Sequence, residues 1–301
     1  MEEIIRLINE GKYSEALDKL KNELDKRRDD PELYYLIGLV NFKLNNFRKA
    51  LINLEKAIKI KSNDARYHLL YAYTLYQLGY DNDDEKMIKR ALKEIEIARQ
   101  LDQSLVNDPG YHYYLANILY ELDKYNEALE EINKALGIKD DKEFHKLRGD
   151  ILFQLKRYEE AIKEYETDLE KDENLYAIAH TYFTLGDYER AINYFNKAIS
   201  INSENPYYYE GKARALFLLG KINEAYEEIK RAIEIDPDNP YIKATEIEIL
   251  SEIRVEDAIR ELKEYLDEMD IYKEILCEEI RGRKISKKAK EYIDEIITKS
   301  C

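Results

Sequence analysis

Apolar and polar positions along the chain follow a short pattern that recurs. Six segments, GKYSEA at 11–16, NNFRKA at 45–50, DKYNEA at 123–128, KRYEEA at 156–161, GDYERA at 186–191 and GKINEA at 220–225, are copies of one motif, and weaker copies end at Ala91 and Ala258. The closing alanines lie at 16, 50, 91, 128, 161, 191, 225 and 258, with spacings of 34, 41, 37, 33, 30, 34 and 33 around an underlying period of 34. A second alanine follows seven positions later at Ala57, Ala98, Ala135, Ala198 and Ala232. Seven residues are two turns of a helix with about 3.6 residues per turn, so both small side chains share a face and mark a close helix approach. Upstream, a second helical pattern centres on Gly38, Ala72, Ala116, Gly149, Ala179 and Ala213, 12 positions before the motif alanine in the regular units. The spacing predicts helix A, a tight turn, helix B and a short link that carries Pro237 in one copy. Gly11, Gly79, Gly186 and Gly220 fall at the predicted turn, where a left-handed helix C-cap favours glycine.

This arrangement resembles the tetratricopeptide repeat (TPR) family, whose signature is a helix–turn–helix with Leu-Gly, aromatic, Ala, aromatic, Ala and Pro at fixed slots. LYYLIGLVNFKLNNFRKALINLEKAIKIKSND and YYYEGKARALFLLGKINEAYEEIKRAIEIDPDN carry it best, and the resemblance covers about residues 1–265. The units run roughly 1–30, 31–64, 65–108, 109–141, 142–171, 172–205, 206–239 and a degenerate 240–270. Two departures stand out. Seven extra residues lie between Gly79 and Ala91, which puts YDNDDEKMIKR where the turn is expected, and the fifth unit is short, with Asp168 in its second alanine slot. After Asp270 the period is lost, yet Ala289, Tyr292, Ile293, Ile296 and Ile297 form one apolar helical face, with Ser286 as the predicted N-cap. Residues 271–301 read as two helices that cap the last hydrophobic face. The fold expected is an all-α, right-handed α-solenoid.

Composition agrees with helices. Ten Gly and five Pro leave few turns for a β fold, and 45% hydrophobic with 37% charged residues suits packed amphipathic helices. The longest apolar run, Leu33 to Val40, is far below the ~18 residues that span a bilayer. An acidic N-terminus and two cysteines point to a reducing cytoplasm, and abundant Lys, Glu, Ile and Tyr without Trp to a thermophilic source. A net charge of −15 repels phosphate backbones and weighs against nucleic acid as the main partner.

The resemblance implies that helix A lines a concave wall through the second, fifth, ninth, twelfth and thirteenth residues of each unit. The fifth slot holds Tyr35, Leu69, Tyr113, Lys146, Tyr176 and Glu210, the ninth Leu39, Tyr73, Asn117, Asp150, His180 and Arg214, and the twelfth Phe42, Tyr76, Tyr120, Phe153, Phe183 and Phe217. The twelfth slot is a ladder of aromatics, which either packs an extended peptide or belongs to the repeat's own packing. The polar residues Asn117, Lys146, Asp150, His180 and Arg214 vary from unit to unit and so can set the register of a bound chain. Together with Tyr113, Tyr120, Phe153, Tyr176, Phe183 and Phe217 they form the candidate partner-binding set. The carboxylate clamp of some TPR proteins requires Lys and Asn at the fifth and ninth slots of one unit and further Asn, Lys and Arg on the next two. Here Asn117 accompanies Tyr113, Lys146 accompanies Asp150, and the sixth slots are Leu36, Leu70, Tyr114, Leu147, Ala177 and Gly211, so no clamp is implied.

Catalytic chemistry finds no foothold: no phosphate-binding glycine loop, GxSxG, HExxH or CxxC occurs, and no cofactor is expected. His68, His112 and His145 recur at the fourth slot of successive units. Equivalent points on packed helices lie ~8–10 Å apart, too far for imidazoles that must each reach a shared zinc, so these are read as interface histidines. Asp81, Asp83, Asp84 and Glu85 lack the glycine and final glutamate of an EF-hand and read as a solvated acidic loop that also caps helix B. Arg281, Arg283, Lys284, Lys287, Lys288 and Lys290 form a basic cluster that either solubilises a capping helix or attracts an anionic partner. The function expected is a non-enzymatic scaffold holding a peptide segment or partner subunit in the concave groove. The alternatives are an RNA-associated repeat protein that uses the aromatic wall and basic C-terminus, and a non-catalytic subunit of an enzyme complex. Acids such as Glu32, Glu121, Glu143, Asp150, Glu173 and Glu210 outnumber Lys43, Arg66, Lys146 and Arg214 along the wall and favour protein over RNA.

Overall fold

The computed structural model describes residues 1–268 and 272–301, and among them there are eighteen α-helices, two short 3-10 turns and no strand. Alternating helices A and B run as α1 Glu2–Asn9 and α2 Tyr13–Lys26, α3 Pro31–Lys43 and α4 Phe47–Ile60, α5 Ala65–Asp81 and α6 Glu85–Leu101, and α7 Pro109–Glu121 and α8 Tyr125–Ile138. They continue as α9 Lys142–Gln154 and α10 Tyr158–Tyr165, α11 Asp172–Thr184 and α12 Tyr188–Ile201, α13 Pro206–Leu218 and α14 Ile222–Ile235, and α15 Pro240–Ile253 and α16 Val255–Glu268. Two more helices, α17 Lys273–Gly282 and α18 Lys287–Ser300, complete the chain. The expected boundary between solenoid and cap, at 270/271, lies outside the described residues. The chain divides into two compact units, Met1–Lys156 and Arg157–Cys301.

In the first unit each helix B packs on its own helix A and on the next one. The motif alanines are the reason: Ala16, Ala50, Ala57, Ala91, Ala98, Ala128 and Ala135 are fully buried. The small slot on helix A is equally constrained, since a Cβ on Gly38 would lie 2.7 Å from Leu54 Cγ. Asp30, Asp64, Asp108 and Asp141 cap the A helices by accepting backbone N–H bonds in the first turn, which explains the polar links. Each turn contains one residue with positive φ, and it is a glycine only at Gly11; Asn45, Asp83, Asp123 and Lys156 take the place elsewhere.

Gly79 therefore does not have the turn role expected of it. It lies inside α5, where a Cβ would meet Ile88 Cδ1 at 2.6 Å. The seven extra residues form no loop: α5 and α6 are 17 residues each, against 13 and 14 in α3 and α4, so the insertion adds about one turn to each helix. The displaced turn carries Asp84, whose side chain accepts from Lys86 and Met87 N–H and caps α6 as expected.

In the second unit α10 has only eight residues and passes into a 3-10 turn ending at Asp168, which is buried in the slot of the missing alanine. Ala191, Ala198, Ala225, Ala232 and Ala258 repeat the buried pattern. α18 packs mainly on α16, as the helix A of a further repeat would, whereas α17 packs on α15. Leu276, Cys277, Ile280, Ala289, Ile293 and Ile297 join Ile247, Leu250, Leu262 and Leu266 in one core. Ser286 caps α18 by accepting from Ala289 N–H. Tyr292, expected on the buried face, is 58% exposed, because the face in contact runs at four-residue intervals through 289, 293 and 297 and Tyr292 lies about 100° around the helix. Cys277 and Cys301 form a disulfide, with Cα atoms 6.6 Å apart.

Candidate binding wall

In the first unit the wall residues sit on consecutive A helices, and an apolar cleft of about 260 Å³ opens among them. Tyr35, Leu39 and Phe42 of α3, Leu69 and Tyr73 of α5 and Tyr114 of α7 line it, with Lys43 and Arg66 at its edge. Tyr73 and Tyr114 stack with centroids 3.8 Å apart. The Tyr73 hydroxyl is buried without a hydrogen-bond partner among the described residues, and burial pushes its phenol above the usual tyrosine range. Arg66 lies over the Tyr35 ring at 5.1 Å and donates to both Glu32 oxygens at 3.0 and 2.8 Å. It also donates to Asp64, whose carboxyl it holds at about 2. None of the six residues lining the cleft is in the candidate partner-binding set: Tyr35, Leu39, Phe42, Leu69 and Tyr73 stand at the wall slots implied by the resemblance, whereas Tyr114 is the single aromatic at the sixth slot.

Six of the eleven candidates belong to the first unit, on α7 and α9, and they engage neighbouring groups. Tyr113 stacks on Phe144 with centroids 4.9 Å apart. Asn117 donates to the Tyr113 carbonyl at 2.9 Å and accepts from the Tyr76 hydroxyl at 3.2 Å. The Tyr120 hydroxyl accepts from Gln154 at 3.3 Å, and Lys146 pairs with Asp150 one turn on at 2.9 Å. Phe153 is half-buried. Burial raises the phenol pKa of both Tyr113 and Tyr120.

The other five lie in the second unit. Tyr176 packs against Tyr208 at 5.2 Å and His180 at 6.2 Å, and its phenol is pushed up to about 12, first by burial and then by Glu210. His180 is held below the usual imidazole value by desolvation and then by the Arg214 charge. The Arg214 guanidinium covers the Phe183 ring at 5.1 Å and its Nε is 3.7 Å from Glu210, while Phe217 is buried. Beyond them the chain meets its own wall. Arg283, expected in an exposed basic cluster, is only 8% exposed and lies 3.9 Å from Glu210, 3.9 Å from Glu248 and 3.2 Å from Glu279. Burial raises the pKa of Glu210 and Glu248. The following residues donate from Lys284 N to Glu248 and from Ser286 N to Ser251, both at 3.0 Å.

The recurrent histidines join elements within repeats. His68 contacts Glu94 at 2.7 Å and the Ser62 carbonyl at 2.9 Å, and His112 contacts Glu131 at 2.6 Å and the Val106 carbonyl at 2.9 Å, so each links helix A, helix B and the preceding segment. His145 contacts Asp140 at 2.7 Å. Among the described residues no group of three His, Cys, Asp or Glu is arranged to hold a metal ion.

Family models described as tetratricopeptide repeat match residues 31–64 and 182–246, and one described as anaphase-promoting complex, cyclosome, subunit 3 matches 84–168. The chain is 28% identical to intraflagellar transport protein 70A of Xenopus laevis over 155 residues, 45% of this chain and 24% of that protein. It is 25% identical to TPR repeat-containing protein MJ1428 of Methanocaldococcus jannaschii over 213 residues, 66% of this chain and 36% of that one. The matches thus span about a quarter to a third of the length of these relatives. Among solved structures, that of the APC/C hetero-tetramer Cut9-Hcn1 matches with a TM-score of 0.62 at 15% identity, over 82% of this chain and 48% of that one. Yeast Tom70 matches at 0.57 and 16%, over 94% and 59%. At these identities the likeness shows the fold, an all-α solenoid. With a period of 34, motif alanines buried throughout and repeat matches in both compact units, the chain belongs to the tetratricopeptide repeat family.

Proposed function

We propose that this protein is a non-enzymatic interaction scaffold that holds an extended protein segment on its helix-A wall. The observation that carries the reading is the cleft between α3, α5 and α7, where Tyr35, Leu39, Phe42, Leu69, Tyr73 and Tyr114 leave apolar surface open between packed helices. Such a cleft accepts an apolar anchor side chain, and rigid aromatics offer contact area at low entropic cost. The candidates at Tyr113–Phe153 and Tyr176–Phe217 are then secondary contacts that extend the wall within each unit. The Cut9 likeness is to a protein crystallised in a hetero-tetramer with Hcn1, which supports a partner-binding role.

A photo-crosslinking residue in place of Leu69 would capture the partner from the native organism, with and without nuclease. That partner is then titrated against Tyr35→Ala with Leu69→Ala, and separately against Lys146→Glu with Arg214→Glu. Loss of about tenfold or more in affinity for the first pair, with unchanged circular dichroism, is expected. Full affinity in both pairs would move binding off the wall, and capture that disappears with nuclease would favour RNA.

A further inference from the structure

The basic cluster near the C-terminus separates in three dimensions into one inward and five outward cations. Arg283 turns in toward Glu210, Glu248 and Glu279. Arg281, Lys284, Lys287, Lys288 and Lys290 are all exposed and have no side-chain partner among the described residues. No acid occurs between 280 and 290. On a chain of net charge −15 this is a local reversal of sign.

Helix electrostatics accounts for Arg281, in the last turn of α17, but not for the three lysines of α18. Lys287, Lys288 and Lys290 occupy the first turn of α18, where the helix dipole is positive and cations are destabilising. The patch is nevertheless held rigidly. Lys284 N–H is bonded to Glu248, Ser286 N–H to Ser251, and the Ser286 hydroxyl to the Ser251 carbonyl, so the segment linking α17 to α18 is tied to α15 at three points. Five cations on a braced segment are preorganised, which reduces the ordering that a ligand must overcome. Tyr292, 58% exposed, lies one turn beyond Lys288 on the same side of α18 and adds an apolar contact.

We propose that the segment 281–290 is a docking surface for a short acidic protein segment, separate from the helix-A wall. Charge complementarity selects an acidic ligand, and the net charge of the chain selects a short one. At physiological salt, fields fade over roughly 8 Å, so a brief run of Asp and Glu experiences the patch alone. A long polyanion or an anionic bilayer would also meet the surrounding acidic surface of the chain.

The test uses the full chain and a fluorescein-labelled deca-glutamate peptide, followed by anisotropy at about 50 and about 150 mM salt. The expected result is saturable binding that weakens several-fold as salt rises and by about tenfold or more in Lys287→Glu/Lys288→Glu/Lys290→Glu. Because those acids suit the positive end of α18, the melting temperature should hold or rise while binding is lost, which distinguishes recognition from unfolding. A Gln version of the same triple variant removes the charges without reversing them and should bind with intermediate loss. Absence of peptide binding would overturn the proposal, as would binding indifferent to both variants. Tighter, lysine-dependent binding to phosphatidylserine vesicles or to poly-U RNA would also overturn it.

Discussion

Single side chains in this protein are placed by their neighbours more than by their type. Tyr73 is the clearest case, since it lines the cleft while its hydroxyl is buried without a partner among the described residues. An unsatisfied buried hydroxyl costs about 1–3 kcal/mol, so Tyr73→Phe should stabilise the chain by about 1 kcal/mol in denaturant titration. Glu121, at the end of α7, shows the same effect with a charge. Its pKa is raised, first by burial and then by Asp123 and Asp83. A carboxyl whose folded pKa is raised contributes stability that is fully present below the unfolded value and is lost as pH rises through the folded one. Glu121→Gln should therefore melt higher than the parent at pH 7 and match it near pH 4; a constant difference at both pH values would refute the assignment.

At the level of elements, the repeat tolerates length changes by adjusting its helices. α5 and α6 absorb the insertion, and the price is a tight contact at Gly79. Gly79→Ala would drive Cβ into Ile88 and should destabilise by about 1–3 kcal/mol, as overpacked sites do. The turns point the other way. Lys156 holds a φ of 60° where Gly186 and Gly220 hold the same left-handed backbone, so Lys156→Gly should stabilise by about 0.5–1 kcal/mol. Both changes can be read by chemical unfolding, and opposite signs are the expected outcome.

Across the whole molecule, stability is assembled from contacts between sequence neighbours, as in any solenoid. A lesion should then be felt locally. Ile293 is fully buried where α18 joins the last core, and Ile293→Ala should cost about 2–4 kcal/mol there. Hydrogen exchange should speed up across α16–α18 and leave α3–α5 protected. Uniform loss of protection from end to end would show a cooperative unit larger than neighbouring repeats.

Period, helix pairing, buried alanines and the caps at Asp84 and Ser286 were legible in the amino-acid string, because each depends on residues within about one repeat and on helix geometry. Distances between residues far apart in the chain were not. Whether Tyr114 stacks on Tyr73, whether Arg283 turns toward Glu210 or toward water, and whether Tyr292 lies inside or outside the contact face are set by how neighbouring helices rotate against one another. Gly79 illustrates the limit: spacing placed it in a turn, but extending two existing helices adds about one backbone hydrogen bond per residue, and the turn moved beyond it. The candidate wall was located by repeat position, whereas the opening of its cleft was decided by side chains from three A helices meeting at one place.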